Sequence, residues 1–304
     1  MKPFVSSYAA ASPVEPWDRA AEADLFAGLS RLDLAGLELP FTGRLHRHDD
    51  EWLIGQLRPE WRFVLTLLPG TMDRLQEDRD FGLASADKDG RARALDFAQT
   101  ACRSIEGLPV AAVELHSAPR LGGTGAKSSL EAFADSLSQL RRMDWGGAEL
   151  LVEHCDAAVP GQPAEKGFLS LEDECAAIKL SSGPTPMRVT INWARSAIEK
   201  RSADGPLDHI RRAKQAGLLG GLFFSGCTRE HADYGAWKDS HAPFSASCPS
   251  SLLTPEAAKA SLQEAGEVDY LGVKIQPLPV SLGAGERLAM IRAALGAISA
   301  SAAC

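Results

Sequence analysis

Three ionisable groups close one short apolar run in the stretch GAELLVEHCDA: Glu153, His154 and Asp156. Carboxylates and an imidazole in that company can ligate a divalent cation or move protons. Similar groups stand at the ends of other apolar runs. Glu38 lies in GLELPF, Glu114 and His116 in VAAVELHSA, Asn192 and Arg195 in MRVTINWAR, and Lys274 and Gln276 in YLGVKIQP. Glu153 reads as a general base with a pKa raised toward neutrality, or as a structural partner of Lys274 or Arg195. Lys274 reads as an acid, a carboxylate's counter-ion, or a Schiff-base nucleophile if its own pKa is depressed. Glu114 and His116, two residues apart, share a strand face and can act together. Asn192, Arg195, Glu38 and Gln276 offer hydrogen bonds to hydroxyls or a carboxylate of a substrate. Leaving such groups unpaired inside a core costs about 1 to 3 kcal/mol each, so a polar ligand or mutual pairing is required.

The elements that must gather these residues are short apolar runs bounded by turn residues, the pattern of strands buried on both faces. Eight can be placed, at 4–7, 36–41, 62–70, 110–118, 147–157, 187–195, 218–226 and 270–277, with helical periodicity between them. Their spacing of about 25 to 50 residues fits strand plus crossover helix. The expected fold is therefore α/β, one (β/α)8 TIM barrel over 1–304, with an open doubly wound sheet as the competitor if the first strand is lost. In a barrel the strand ends meet in one bowl. The segment 227–252 between the seventh and eighth strands is long, carries Trp237, Asp239 and His241, and is a candidate lid in which Trp237 and His241 close over a sugar ring.

Composition narrows the partners. The 304 residues are 45% hydrophobic and 24% charged, with a formal charge of -8, which leaves no general basic field for nucleic acid. No run approaches the roughly 18 apolar residues of a membrane span, and the first residues are too polar for an export signal, so the expected location is the cytoplasm. Six scattered cysteines, Cys102, Cys155, Cys175, Cys227, Cys248 and Cys304, form no C-x-x-C pair and are expected to be reduced. The glycine-rich LGGTGAKSS at 121–129 lacks the spacing of a nucleotide-binding loop and reads as a connection. A homo-oligomer is left open.

GLELPF, VELHSA and especially LLVEHCDA resemble the xylose-isomerase-like barrel superfamily, which includes sugar isomerases, sugar epimerases and an endonuclease branch. LTLLPGTM and VKIQPLP resemble a bacterial family within it that has no assigned reaction. The resemblance implies an isomerase or epimerase acting on a sugar or polyhydroxylated acid, with a divalent cofactor (Mn, Mg or Zn) held by acids and histidines at the ends of strands five to eight. Glu153 matches the strand-five glutamate. Asn192, Ser225, and Lys274 with Gln276 stand where the other ligands are expected, so the usual set is incomplete and His154, Asp156 or His241 would have to complete it. The expected partner is a small carbohydrate ligand, with Glu153, Lys274, Glu114 and His116 as catalytic candidates. The alternatives are a Schiff-base lyase or aldolase built on Lys274 and a non-catalytic carbohydrate-binding barrel.

Overall fold

The computed structural model describes residues 1–121 and 127–302. The glycines of the 121–129 connection and Cys304 lie outside the described residues. The elements follow in the order β1 (Phe4–Ser6), α1 (Ser7–Ala10), α2 (Arg19–Leu29), β2 (Gly36–Pro40), α3 (Asp50–Gln56), β3 (Arg62–Thr66), α4 (Leu68–Glu77), α5 (Lys88–Ser104), β4 (Val110–Leu115), α6 (Leu130–Leu140), β5 (Glu149–His154), α7 (Leu171–Leu180), β6 (Met187–Asn192), α8 (Trp193–Lys200), α9 (Gly205–Gln215), β7 (Leu219–Phe224), α10 (Pro255–Ala265), β8 (Tyr270–Val273) and α11 (Ala284–Ala302). All eight strands are parallel and close into one barrel, sealed where β1 pairs with both β2 and β8. The (β/α)8 expectation holds, and even the three-residue β1 takes its place.

Alternation along the strands sorts the side chains. Leu37, Leu39, Phe63, Leu65, Val113, Leu115, Leu150, Val152, Val189, Ile191, Leu222, Phe224 and Val273 face the surrounding helices and form the large core. The inward set is divided in two along the axis. Phe4, Val64, Ala112, Leu151, Phe223 and Tyr270 pack together at the amino-terminal end and close the floor. Above them, toward the carboxyl ends, the inward positions are polar.

Helix starts are fixed by local hydrogen bonds. Side chains of Asp18, Asp49, Asp87, Ser129, Ser170 and Thr254 each accept from a backbone N–H in the first turn of the helix that follows. Each such cap contributes about 1 kcal/mol.

The strands end earlier than the sequence suggests, and several helices begin or appear where none is expected. Pro69, Gly70 and Thr71 begin α4 instead of forming a turn, since proline is tolerated in the first turn of a helix. Strand six stops at Asn192, and Arg195 therefore sits in the first turn of α8. Helices α3 and α10 were not expected. Yet Thr254 followed by Pro255 is a helix start of ordinary kind, a cap residue and then proline in the first turn. The 227–252 segment is pinned by antiparallel bridges, Gly226 to Ala242 and Thr228 to Ser251.

Gly272, on β8, leaves the space that the Phe223 ring fills inside the floor layer, and a Cβ there would collide with that ring. Gly272→Ala should lower stability by about 1 to 3 kcal/mol, read as an earlier urea midpoint with an unchanged denaturant slope; an unaltered midpoint would show that the floor is loosely packed.

Candidate active site

Glu38, Thr66, Glu114, Glu153, Asn192 and Lys274 occupy the upper inward positions of six strands or the residue just beyond, and all are buried. Each precedes or follows an outward Leu, Val or Ile, so packing of the helices against the outer face fixes where each polar group points. His116 follows β4 and turns into the same space.

Glu153 is the centre of the array. Its Oε2 lies 2.8 Å from His116 Nε2. Its Oε1 accepts from Asn192 Nδ2 at 3.2 Å and from Lys274 Nζ at 3.4 Å. Arg195 Nη1 stands 2.7 Å from the same oxygen as an ion contact whose geometry is out of line for a hydrogen bond. Lys274 donates a second, shorter bond to Glu38 Oε1 at 2.6 Å. Arg195 continues outward through Nε to Asp239 Oδ2 at 3.0 Å, and Lys166 reaches that same oxygen at 3.1 Å. His241 Nδ1 is 2.9 Å from Ser225 Oγ and 3.4 Å from Asp239 Oδ1.

The charges follow from this geometry. Burial alone would raise the Glu153 pKa, but Arg195, Lys274 and His116 outweigh it and hold the carboxyl well below the usual range. Asp239 is held down in the same way by Arg195 and Lys166. Glu114 has the opposite environment. It is fully buried, the carboxylates of Glu153 and Glu38 stand beside it, and its pKa is pushed well above the ordinary value. Both of its oxygens lack a protein partner. Glu38 is raised by burial despite Lys274. Burial also lowers His116, and burial together with the neighbouring cations takes His241 down to about 3, so both rings are neutral at pH 7. Lys274 is held protonated by Glu153 and Glu38 against the pull of burial. A Schiff-base role requires a depressed pKa at Lys274, and its two carboxyl partners push the other way. The expectation that Glu153 is raised toward neutrality is overturned by the two cations at its oxygen, and Glu114 is the carboxyl that rises.

Glu38, Glu114 and Glu153 each bring an oxygen within 4.8 Å of the others, a spacing that could surround a metal ion. The ammonium of Lys274 and the guanidinium of Arg195 already stand against those oxygens. A divalent ion would face two fixed cations at close range, so this donor set does not fit one.

Glu153, His154 and Asp156 do not converge as a metal triad. His154 is the next residue along the strand and points outward, between the barrel and the helices. Its Nδ1 lies 2.7 Å from Glu174 on α7 and its Nε2 3.0 Å from Glu199 on α8. Asp156 accepts the backbone N–H groups of Glu165 and Lys166, which shapes the loop that delivers Lys166 to Asp239. Trp237 lies beside Arg201 and Arg229, at 5.1 and 5.7 Å from its ring. Gln276 is tied through its backbone, donating to His241 O and accepting from Tyr234 Oη. Trp237 and His241 both have left-handed backbone, φ 52° and 54°, on the segment that presents Asp239. Tyr8, Lys166, Glu174, Glu199 and His209 were not anticipated. Only Tyr8 had a signal, its place just after the first strand.

Tyr8 links the bowl to a cavity of about 380 Å³ at the same end of the barrel, lined also by Trp17, Arg44, His46 and His48. Lys274 Nζ lies 5.3 Å from the Tyr8 ring. Trp17 stacks on His48 with their ring planes 8° apart, and its Nε1 donates to Glu22 at 2.6 Å. Such a size is ordinary for a small-molecule site.

The outer cluster has its own titration. Burial disfavours an imidazolium at His154, but Glu174 and Glu199 more than compensate and push it up to about 10. This leaves neither ring nitrogen free for a metal, although His154, Glu199 and His209 are close enough for one. The folded pKa exceeds the ordinary 6.5, so the stabilisation is complete below that value and is lost as pH rises through about 10. Urea unfolding between pH 6 and 10.5 should show stability declining above neutrality, by an amount on the order of a few kcal/mol. His154→Gln should be less stable at pH 6 and lack that part of the decline; a variant with the same profile as the natural chain would contradict the assignment.

Solved structures similar to this one share the whole barrel. L-ribulose 3-epimerase matches with a TM-score of 0.64 and 15% identity, over 99% of this chain and 95% of that one. The IOLI protein, solved with a bound zinc atom, matches with a TM-score of 0.65 and 12% identity over 99% of each. A D-tagatose 3-epimerase-like protein gives 0.63 and 13%, again over 99% of both. At these identities the likeness shows the fold, a closed (β/α)8 barrel. In sequence, the chain is 37% identical over 268 residues to "Uncharacterized protein STM3670" of Salmonella typhimurium (strain LT2), covering 86% of this chain and 84% of that protein. Residues 4–290 match the model described as "Domain of unknown function (DUF4862)", and with this relative alongside, the chain belongs to that family.

Proposed function

We propose that the protein is a sugar isomerase or epimerase that works by proton transfer between carboxyl groups, with Lys274 and Arg195 supplying the positive charge. The observation that carries this reading is the split between two neighbouring acids. Glu153 is ionised beside two cations, and Glu114, an oxygen of which lies within 4.8 Å of one of Glu153, stays protonated without a protein partner. Environments that drive two carboxyls apart are those of an acid and a base.

Glu153 removes a proton from the carbon next to the substrate carbonyl, and the electron pair moves onto the carbonyl oxygen. Lys274 and Arg195 stabilise the enediolate charge that develops. Glu114 gives a proton to carbon, to the opposite face for epimerisation as the carbonyl re-forms, or to the former carbonyl carbon for isomerisation, where the neighbouring hydroxyl proton passes to the former carbonyl oxygen. Exchange with solvent then restores the protons of the two carboxyls. His116 holds Glu153 in place through its 2.8 Å contact. The cavity over Tyr8 admits the sugar, and the 227–252 segment covers the bowl through Asp239 and His241. The fold shared with epimerases of L-ribulose and related sugars supports the same class of chemistry.

Incubation with ketopentoses and ketohexoses in D2O, followed by proton NMR, tests the reading directly. A carbon-bound hydrogen beside the carbonyl should exchange with solvent in at least one sugar. Glu153→Gln and Glu114→Gln should each slow that exchange by about 100- to 10,000-fold while leaving the circular dichroism spectrum intact. Sugar binding without exchange in the natural chain, or full exchange in both variants, would remove the assignment.

A further inference from the structure

The interior charges fix which sugars the bowl can take, an inference that rests on reading it as a sugar site. Three cations face it: Lys274, Arg195 and Lys166. Three acidic side chains stand against them, that of Glu38 in a 2.6 Å contact with the Lys274 ammonium. Lys274 is bound to Glu38 and Glu153, Arg195 to Glu153 and Asp239, and Lys166 to Asp239. Glu114 adds no charge, because a buried carboxyl beside two carboxylates keeps its proton. Among the described residues, every cation of the bowl therefore already has a carboxylate partner.

The atoms left unsatisfied are of mixed kind. Glu38 Oε2, Asn192 Oδ1 and Nδ1 of His116 accept, the last because Nε2 carries the ring proton toward Glu153, while Arg195 Nη2 donates and the carboxyl of Glu114 can do both. A hydroxyl group both donates and accepts, so several hydroxyls on one small molecule suit this set. A phosphate or carboxylate only accepts, and it would bring a negative charge into a site with no spare cation. The cavity above gives no relief: Arg44 is paired with Asp50 and Arg47 with Glu15.

We propose that the site binds uncharged polyhydroxylated sugars and excludes sugar acids and sugar phosphates. Calorimetric titration of the full chain with three matched groups tests this: free ketopentoses and ketohexoses, the corresponding aldonates, and the corresponding ketose phosphates. Binding should be confined to the free sugars, with charged counterparts weaker by at least about 100-fold, the least that an unpaired buried charge implies. An aldonate or phosphate binding as tightly as its free sugar would overturn the proposal, while exchange activity on that charged compound would leave the isomerase reading standing. Silence from all three groups would defeat both. A charge switch supplies a second readout. Glu38→Gln frees one positive charge, so the variant should gain at least about 10-fold in aldonate affinity relative to the natural chain; an unchanged preference in a folded variant would count against the charge argument.

Discussion

Lys274 cannot stand inside this barrel without Glu38 and Glu153. A buried ammonium that loses its carboxylate partner costs about 3 to 5 kcal/mol, a large share of the stability of an ordinary domain. The contacts at 2.6 and 3.4 Å join β8 to β2 and β5 across the interior. Arg195 then binds Glu153 to Asp239, and so connects α8 with the segment between β7 and β8. One electrostatic requirement thus organises the upper half of the barrel, while the packed floor of Phe4, Val64, Leu151 and Phe223 beneath it keeps the medium apolar. In that medium the balance of charge decides which acids ionise, and the difference between Glu114 and Glu153 is its product.

A second ionic cluster stands behind the first and shares its elements. His154 follows Glu153, Ser117 follows His116, and Glu199 lies one turn beyond Arg195 on α8. Ser117 donates to Glu174 at 2.6 Å, and His209 lies 3.3 Å from Glu199. The backbone at Glu153, His116 and Arg195 is therefore tied from outside the barrel. Groups that must keep a catalytic geometry gain from such support, because a small misplacement weakens every interaction in the array.

Much of this was legible in the sequence because strand alternation and strand-end polarity are local signals. Eight apolar runs point to the barrel and place Glu38, Glu114, His116, Glu153 and Lys274 at one end of it. His154 lies outside the bowl by the same alternation, since adjacent residues on a strand face opposite ways. Arg195 was assigned to a strand end because nothing in NWAR marks where extension gives way to helix. Lys166, Asp239 and His241 arrive on loops, where no periodicity reports direction, and the left-handed backbone at Trp237 and His241 has no signature in those residue types. The pKa of Glu153 was misjudged for a different reason: its sign depends on which charges come within about 4 Å, and that is a property of the closed barrel.

The central claim is that Lys274 and Arg195 already stand against the carboxyl oxygens of Glu38 and Glu153 that could otherwise help to surround a metal ion. Titrating Mn2+ and Zn2+ into metal-stripped protein, followed by calorimetry and elemental analysis, addresses it most directly. The natural chain should take up no stoichiometric ion in the bowl, and Lys274→Met, which frees Glu38 and Glu153, should bind one more tightly than the natural chain does. Tight one-to-one binding in the natural chain, abolished by Glu153→Gln, would contradict the account.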